Sequence, residues 1–124
     1  MFLLDSHVLL WSAAEPHRLS AAGRAAVESR EFKVSVASFW ELLVKKNRST
    51  APVRDPLAWW ERHITRLQIE VVTIRVPHVA ELDRLPELHG DPFDRMLIAQ
   101  ARTEGLRLVT ADRIFSRYDV ETVW

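Results

Sequence analysis

The sequence predicts one α/β domain over residues 1–124, with a mostly parallel central sheet of about five strands between two layers of helices. Short apolar runs alternate with helical patterns along the whole chain, which is typical of strands joined by crossover helices. Neither a repeat nor a linker divides the chain. A length of 124 residues with 48% hydrophobic residues suits one domain with a substantial core.

The predicted strands are short apolar runs bounded by polar residues. Phe2-Leu3-Leu4 is stopped by Asp5, and Val71-Val72-Thr73-Ile74 gives the strongest signal because every residue is β-branched. The last strand is expected at an edge of the sheet. The predicted strands cover residues 2–4, 33–36, 71–74, 106–110 and 120–123.

Helix starts are predicted from capping residues. Asp55-Pro56 and Asp91-Pro92 each place an N-cap side chain before a proline in the first turn. Ser38 and Glu41 have the spacing of a capping box, with an expected apolar arc of Phe39, Trp40, Leu43 and Val44. Helices are predicted over residues 7–14, 20–29, 38–48, 56–67, 77–85 and from 92 onward.

Composition excludes several classes of function. The chain has no cysteine, so disulfides, thiolate metal sites and cysteine nucleophiles are excluded, and a cytoplasmic location is expected. Its 17 basic and 17 acidic residues balance, so any binding of a polyanion must come from local patches. No apolar run is long enough for a membrane span, and the N-terminus lacks the basic region of a signal peptide.

Four acidic residues stand at strand ends or helix starts: Asp5, Glu41, Asp94 and Asp112. In open α/β sheets, sites lie beyond the carboxyl ends of strands where the strand order reverses, so we expect these acids to converge. Each pair about 5 Å apart would repel by roughly 3 kcal/mol at an effective dielectric constant of 20. Raised pKa values or a divalent cation would relieve this, and oxygen ligands favour Mg²⁺ or Mn²⁺.

Each acid also has a purely structural interpretation. Asp91 is best explained as an N-cap. For the other acids the structural role is the alternative to a ligand: Asp94 as the anion at a helix N-terminus and Glu41 as the capping-box partner of Ser38. Asp5 and Asp112 could likewise be simple turn residues. Ser6 and Thr110 are candidate hydrogen-bond donors to the carboxylates or ordinary turn hydroxyls.

The chain resembles the PIN-domain ribonucleases, and more closely the VapC-type toxins of bacterial type II toxin–antitoxin pairs. The resemblance is carried by Leu3-Leu4-Asp5-Ser6-His7, Ser35-Val36-Ala37-Ser38-Phe39-Trp40-Glu41, His89 to Ala101, and Leu108-Val109-Thr110-Ala111-Asp112, in that order. It implies that Asp5, Glu41, Asp94 and Asp112 hold Mg²⁺ or Mn²⁺, with Asp5 and Asp94 as the most direct ligands. It further implies RNA cleavage, inhibition by a small VapB-like antitoxin, and a homodimer that joins the antitoxin.

Two further sets of residues are candidates for contacts with RNA or a partner. The basic set, which is equally compatible with solvated charge, is Lys45, Lys46, Arg48, Arg95 and Arg113. The aromatic set, which is equally compatible with core packing, is Trp11, Trp40, Trp59 and Trp60.

Two alternatives to the nuclease remain open. One is a protein-binding module of the same fold with little or no activity. The other is a phosphoacceptor receiver or phosphatase, which is disfavoured because Ile74-Arg75-Val76-Pro77 offers no acceptor aspartate after the middle strand. Activated water would leave 5′-phosphate and 3′-hydroxyl ends on RNA, whereas histidine catalysis would leave 2′,3′-cyclic phosphates.

Overall fold

A five-stranded sheet in the order β3-β2-β1-β4-β5 organises the computed structural model, which describes residues 1–124. Every neighbouring pair of strands is parallel. The predicted α/β class is therefore confirmed, and the last strand lies at an edge, as expected. The strands are β1 (Phe2–Leu4), β2 (Phe32–Ser35), β3 (Val71–Val72), β4 (Arg107–Val109) and β5 (Thr122–Val123).

Six helices connect the strands, and the N-caps predicted at Asp55 and Asp91 are in place. Ser20 accepts a hydrogen bond from Gly23 N, and Asp55 accepts one from Ala58 N. The fourth helix continues as a π-helical turn over Glu61–Thr65. The helices are α1 (Ser6–Ala14), α2 (Ala21–Glu28), α3 (Val36–Lys45), α4 (Pro56–Trp60), α5 (Val76–Leu82) and α6 (Pro92–Glu104), with 3₁₀ turns at Pro16–Arg18 and Arg113–Arg117.

The sheet is buried on both faces, which gives the domain two hydrophobic cores. Successive residues of a strand point to opposite faces, so Leu3 belongs to one core and Leu4 to the other. One core packs against α6 through Leu97 and Ile98. The other packs against α1 and the α4 region through residues such as Val8. The three-layer arrangement is thus confirmed. None of the helices combines the length and the hydrophobicity that a membrane span requires.

The predicted capping box at Ser38 is wrong. Helix α3 starts at Val36, and its N-cap is Ser35, whose hydroxyl accepts a hydrogen bond from Ala37 N at 3.0 Å. Because β2 runs directly into α3 without a loop, the helix starts earlier than the local capping pattern indicates. Ser38 is instead buried in the first turn, with its Oγ 2.8 Å from Ser6 Oγ.

The apolar arc predicted for α3 is also wrong in part. Trp40 and Val44 are 50% and 48% exposed, whereas Ser38 and Glu41 are buried. The inner face of this helix therefore delivers polar groups to the carboxyl edge of the sheet.

Several element ends differ by a few residues from the prediction. Strand β3 ends at Val72 rather than at residue 74, and the carbonyl of Thr73 accepts a hydrogen bond from Gln100 Nε2 at 3.3 Å. Gln100 is fully buried, and its Oε1 also accepts a hydrogen bond from the Ser35 hydroxyl. This amide takes the place of further strand pairing after β3.

Candidate active site

Asp5 lies where the strand order reverses, directly after β1 and beside the end of β4. Its backbone N–H donates to Val109 O at 3.0 Å, and its carboxylate accepts a hydrogen bond from Thr110 Oγ1 at 2.9 Å. The side chain does not cap α1, although Asp5 occupies the N-cap position. Burial raises the pKa of this carboxyl, because its negative charge is unfavourable away from water. A nearby cation would stabilise that charge.

Asp94 lies in the first turn of α6, below the cap formed by Asp91. Asp91 Oδ1 accepts hydrogen bonds from Phe93 N at 2.9 Å and Asp94 N at 3.0 Å, so its structural interpretation is confirmed. Burial and the negative charges of Asp91, Asp5, Glu41 and Asp112 raise the pKa of Asp94 to about 7. Asp5, Glu41 and Asp112 therefore add repulsion at Asp94, in addition to the larger effects of burial and of Asp91.

Glu41 and Asp112 each form a contact within their own segment of the chain. Glu41 is buried on α3 and forms an ion pair with Lys45 one turn later. Asp112 is exposed, and its Oδ1 caps the following 3₁₀ turn by accepting from Ile114 N at 3.0 Å. Asp112 therefore has the turn role considered for it, and its second oxygen stays available.

The two predicted hydroxyl donors have different roles. Thr110 donates to Asp5 and also accepts a hydrogen bond from Asp112 N at 3.1 Å, so it links two of the acids. The Ser6 hydroxyl pairs with Ser38 and not with a carboxylate. Ser6 therefore joins the start of α1 to α3 and supports the acids only indirectly.

Sequence reasoning missed a hydrogen-bonded group on the other side of Asp94. His89 Nε2 lies 3.2 Å from Asp94 Oδ2, and His89 Nδ1 lies 2.6 Å from Tyr118 Oη. Arg95 Nη1 donates to Tyr118 Oη at 3.3 Å and to Pro86 O at 2.8 Å. Nothing local to the sequence marks Tyr118, because it is 29 residues from His89.

The chemistry of the four acids fits a divalent cation better than any other group. All the donors are carboxylate oxygens, which suit Mg²⁺ or Mn²⁺. Burial raises the pKa of both Asp5 and Asp94, so a negative charge on either carboxyl is unfavourable without a nearby cation. As they stand, no three histidine, aspartate or glutamate side chains form a ready metal-binding group. The residues fit the cation by charge and donor type.

A family model described as PIN domain matches residues 2–121. This chain belongs to the PIN domain family.

Known relatives agree with this assignment. This PIN domain is 37% identical over 113 residues to Ribonuclease VapC22 of Mycobacterium tuberculosis, covering 90% of this chain and 86% of the relative. DNA-bound VapBC from Salmonella typhimurium aligns with a TM-score of 0.66 and 26% identity over 98% of this chain and 95% of that one. VapBC2 from Rickettsia felis, bound to a promoter fragment, shares the fold with a TM-score of 0.67, 15% identity, and coverage of 98% and 96%. The resemblance to VapC-type proteins is therefore confirmed.

A polar cleft of about 220 Å³ in the PIN domain is lined by one of the four acids, Glu41. Glu41, Lys45 and Arg48 lie along it, together with Ser6 and His7. Lys46 and Arg113 are exposed, whereas the Arg95 guanidinium is held by Pro86 and Tyr118. Of the predicted basic set, Lys45 and Arg48 thus line the same cleft as Glu41.

The four candidate tryptophans have different environments. Trp60 is buried and stacks on Phe39 at 4.7 Å between ring centroids, so the expectation that it could line a groove is wrong. Trp59 is half-buried against His63, and Trp11 is half-buried against Trp124. Trp40 is exposed on α3, which leaves three of the four tryptophans available to a partner.

Proposed function

We propose that this PIN domain is a metal-dependent endoribonuclease and the toxin of a toxin–antitoxin pair. The observation that carries the proposal is the buried carboxyl of Asp5 at the strand-order reversal together with the half-buried carboxyl of Asp94. The pKa of Asp94 is raised to about 7, first by burial and then by repulsion from Asp91, Asp5, Glu41 and Asp112. A fold that tolerates this repulsion is suited to a bound cation. The name of the relative from M. tuberculosis, a ribonuclease, supports RNA as the substrate.

Asp5 and Asp94 would hold the cation most directly, with Glu41 and Asp112 completing the acidic set. When bound, Mg²⁺ or Mn²⁺ would activate a water and neutralise the charge that develops on the phosphate. Thr110 fixes one oxygen of Asp5, and the backbone of Asp112 is held by the same hydroxyl. These contacts orient Asp5 and Asp112, which follow the carboxyl ends of the neighbouring strands β1 and β4.

The basic residues beside the cleft would bind the RNA backbone. Arg48 lines the cleft next to Glu41, and Lys46 is exposed on the same basic stretch. Lys45 is a weaker candidate, because its ammonium already neutralises Glu41. Contacts with phosphates give an affinity that falls as salt rises.

A small antitoxin is the expected partner, supported by the VapBC complexes that share the fold. Trp11, Trp40 and Trp59 offer apolar contact area for it, and self-association into a homodimer belongs to the same proposal. A cytoplasmic location is consistent with the absence of cysteine.

The test is cleavage of total cellular RNA by purified protein with Mn²⁺, with Mg²⁺ and with chelator, alongside Asp94→Asn. We expect metal-dependent cleavage by the native protein only, leaving 5′-phosphate and 3′-hydroxyl ends. Cleavage that persists in chelator, or 2′,3′-cyclic phosphate ends, would contradict the mechanism.

A protein-binding module without nuclease activity is the second candidate. It is favoured by the Glu41–Lys45 ion pair and by the lack of a ready metal-binding group. Native protein that binds a partner but shows no metal-dependent cleavage would support the protein-binding module over the nuclease.

A further inference from the structure

A continuous chain of hydrogen bonds ends on the carboxylate of Asp94. It begins at Arg95 Nη1, which donates to Tyr118 Oη at 3.3 Å, and continues from Tyr118 Oη to His89 Nδ1 at 2.6 Å. The last link joins His89 Nε2 to Asp94 Oδ2 at 3.2 Å. Arg95, Tyr118 and His89 do not belong to the set of four acids, yet their hydrogen bonds lead to Asp94, which does.

The chemistry of the three side chains gives the chain a direction. A guanidinium can only donate, so Tyr118 Oη accepts from Arg95, and the arrangement in which Tyr118 also donates its own proton to His89 Nδ1 satisfies all three groups. His89 then carries its proton on Nε2 and donates it to Asp94. The opposite tautomer would point a nitrogen lone pair at a carboxylate oxygen, which is unfavourable.

The chain is anchored at its far end and ties three segments together. Arg95 also donates to Pro86 O at 2.8 Å, and Tyr118 is only 3% exposed. His89 precedes α6, Asp94 and Arg95 lie on α6, and Tyr118 ends the segment that begins at Asp112. The bonds therefore restrain the α6 start relative to the segment that carries another acid.

We propose that Arg95, Tyr118 and His89 are positioning residues that hold Asp94 Oδ2 and present Asp94 Oδ1 to the cation. This inference rests on the proposed function, because it requires a metal at the acidic set. Groups that orient a metal ligand in this way affect metal affinity strongly although they do not touch the metal.

The test measures Mn²⁺ affinity by electron paramagnetic resonance for native protein, His89→Leu, His89→Gln and Tyr118→Phe. His89→Leu and Tyr118→Phe should weaken Mn²⁺ binding about 10-fold or more, in the range typical of groups that orient a ligand. His89→Gln should largely restore it, because an amide can accept from Tyr118 and donate to Asp94. His17→Leu, on the exposed first 3₁₀ turn, is the matched control and should bind as native protein does.

A second readout keeps the inference testable if Tyr118→Phe folds poorly. Nitrogen-15 NMR of the native imidazoles should find His89 protonated at Nε2, and the Nδ1-protonated form would overturn the proposed direction. Native protein that binds Mn²⁺, with His89→Leu binding equally well, would overturn the positioning role alone. Native protein that binds no Mn²⁺ would overturn the proposed function and this role with it.

Discussion

At the scale of single residues, the site contains two carboxyl groups, those of Asp5 and Asp94, in positions where a negative charge is unfavourable. Burial is the largest cause of the raised pKa of both Asp5 and Asp94. For Asp94, the neighbouring acids add to burial, and its shift from 3.8 to about 7 corresponds to at most about 4 kcal/mol. Function and stability should therefore oppose each other at this residue.

Replacing Asp94 with Asn should separate the two. Without metal at pH 8, the variant should be more stable by about 1–3 kcal/mol, allowing for screening of the partly exposed side chain. The midpoint of thermal unfolding in chelator should rise by several degrees, while metal-dependent cleavage is lost. A midpoint lower than that of native protein would show that the charge is not a burden.

Thr110 offers a second test at this scale. Thr110→Val keeps the shape but removes the hydroxyl that donates to Asp5 and accepts from Asp112 N. The loss should cost about 1–3 kcal/mol of the free energy of unfolding, because two buried or partly buried groups lose a partner. Urea titration measures it, and Thr110→Ser is the matched control expected to stay near native stability.

At the scale of elements, the start of α6 combines a cap with an unfavourable charge. Asp91 Oδ1 accepts from two backbone N–H groups of the first turn, while its charge raises the pKa of Asp94. The cap needs the oxygen and not the charge, so the two effects can be separated by substitution.

Asp91→Ala should destabilise the protein by about 1 kcal/mol through loss of the cap. Asp91→Asn keeps an acceptor oxygen and removes the negative charge, so its stability in chelator at pH 8 should equal or exceed that of native protein. Thermal unfolding of the two variants side by side decides the matter. Equal losses in both would mean that the charge of Asp91 stabilises the helix more than it burdens Asp94.

The same scale shows what the sequence could predict. The start of α6 was predictable because Asp91-Pro92 is a local signal, and the position of Asp5 at the strand-order reversal followed from the rule for parallel sheets. The start of α3 was not, because Ser35 and Ser38 are both plausible caps and only the end of β2 decides between them. Tyr118 was not predictable either, since its contacts with His89 and Arg95 depend on tertiary packing.

At the scale of the whole molecule, the excess of negative charge at one sheet edge should make stability depend on pH and metal. Between about pH 4 and pH 7, folded Asp94 keeps a proton that the unfolded chain releases. The folded state then binds more protons, so the free energy of unfolding falls as pH rises through this window. Asp5 shifts in the same direction.

We therefore expect the unfolding midpoint in chelator to be lower at pH 8 than at pH 5. Millimolar Mn²⁺ should raise the midpoint at pH 8 and have little effect at pH 5, because protons compete for the same oxygens. Differential scanning fluorimetry of native protein and Asp94→Asn provides the comparison. A midpoint at pH 8 that does not respond to Mn²⁺ would contradict a cation site.

The balanced net charge leads to a last prediction at this scale. With 17 basic and 17 acidic residues, RNA affinity must come from a local patch such as Arg48 beside the cleft. Arg48→Glu should weaken RNA binding and flatten its dependence on salt by about one phosphate contact. Arg66→Glu, an exposed change on the turn after α4, is the control expected to leave the salt dependence unchanged.

Tyr118 is the one tyrosine of the chain and is embedded beside Asp94. Protein grown with 3-fluorotyrosine would thus contain a single fluorine nucleus, located next to the acids and absent everywhere else. Its ¹⁹F resonance would be free of overlap and would follow cation titration, RNA addition or antitoxin capture in one sample. A single fluorine probe can therefore be placed beside His89 without any substitution in the sequence.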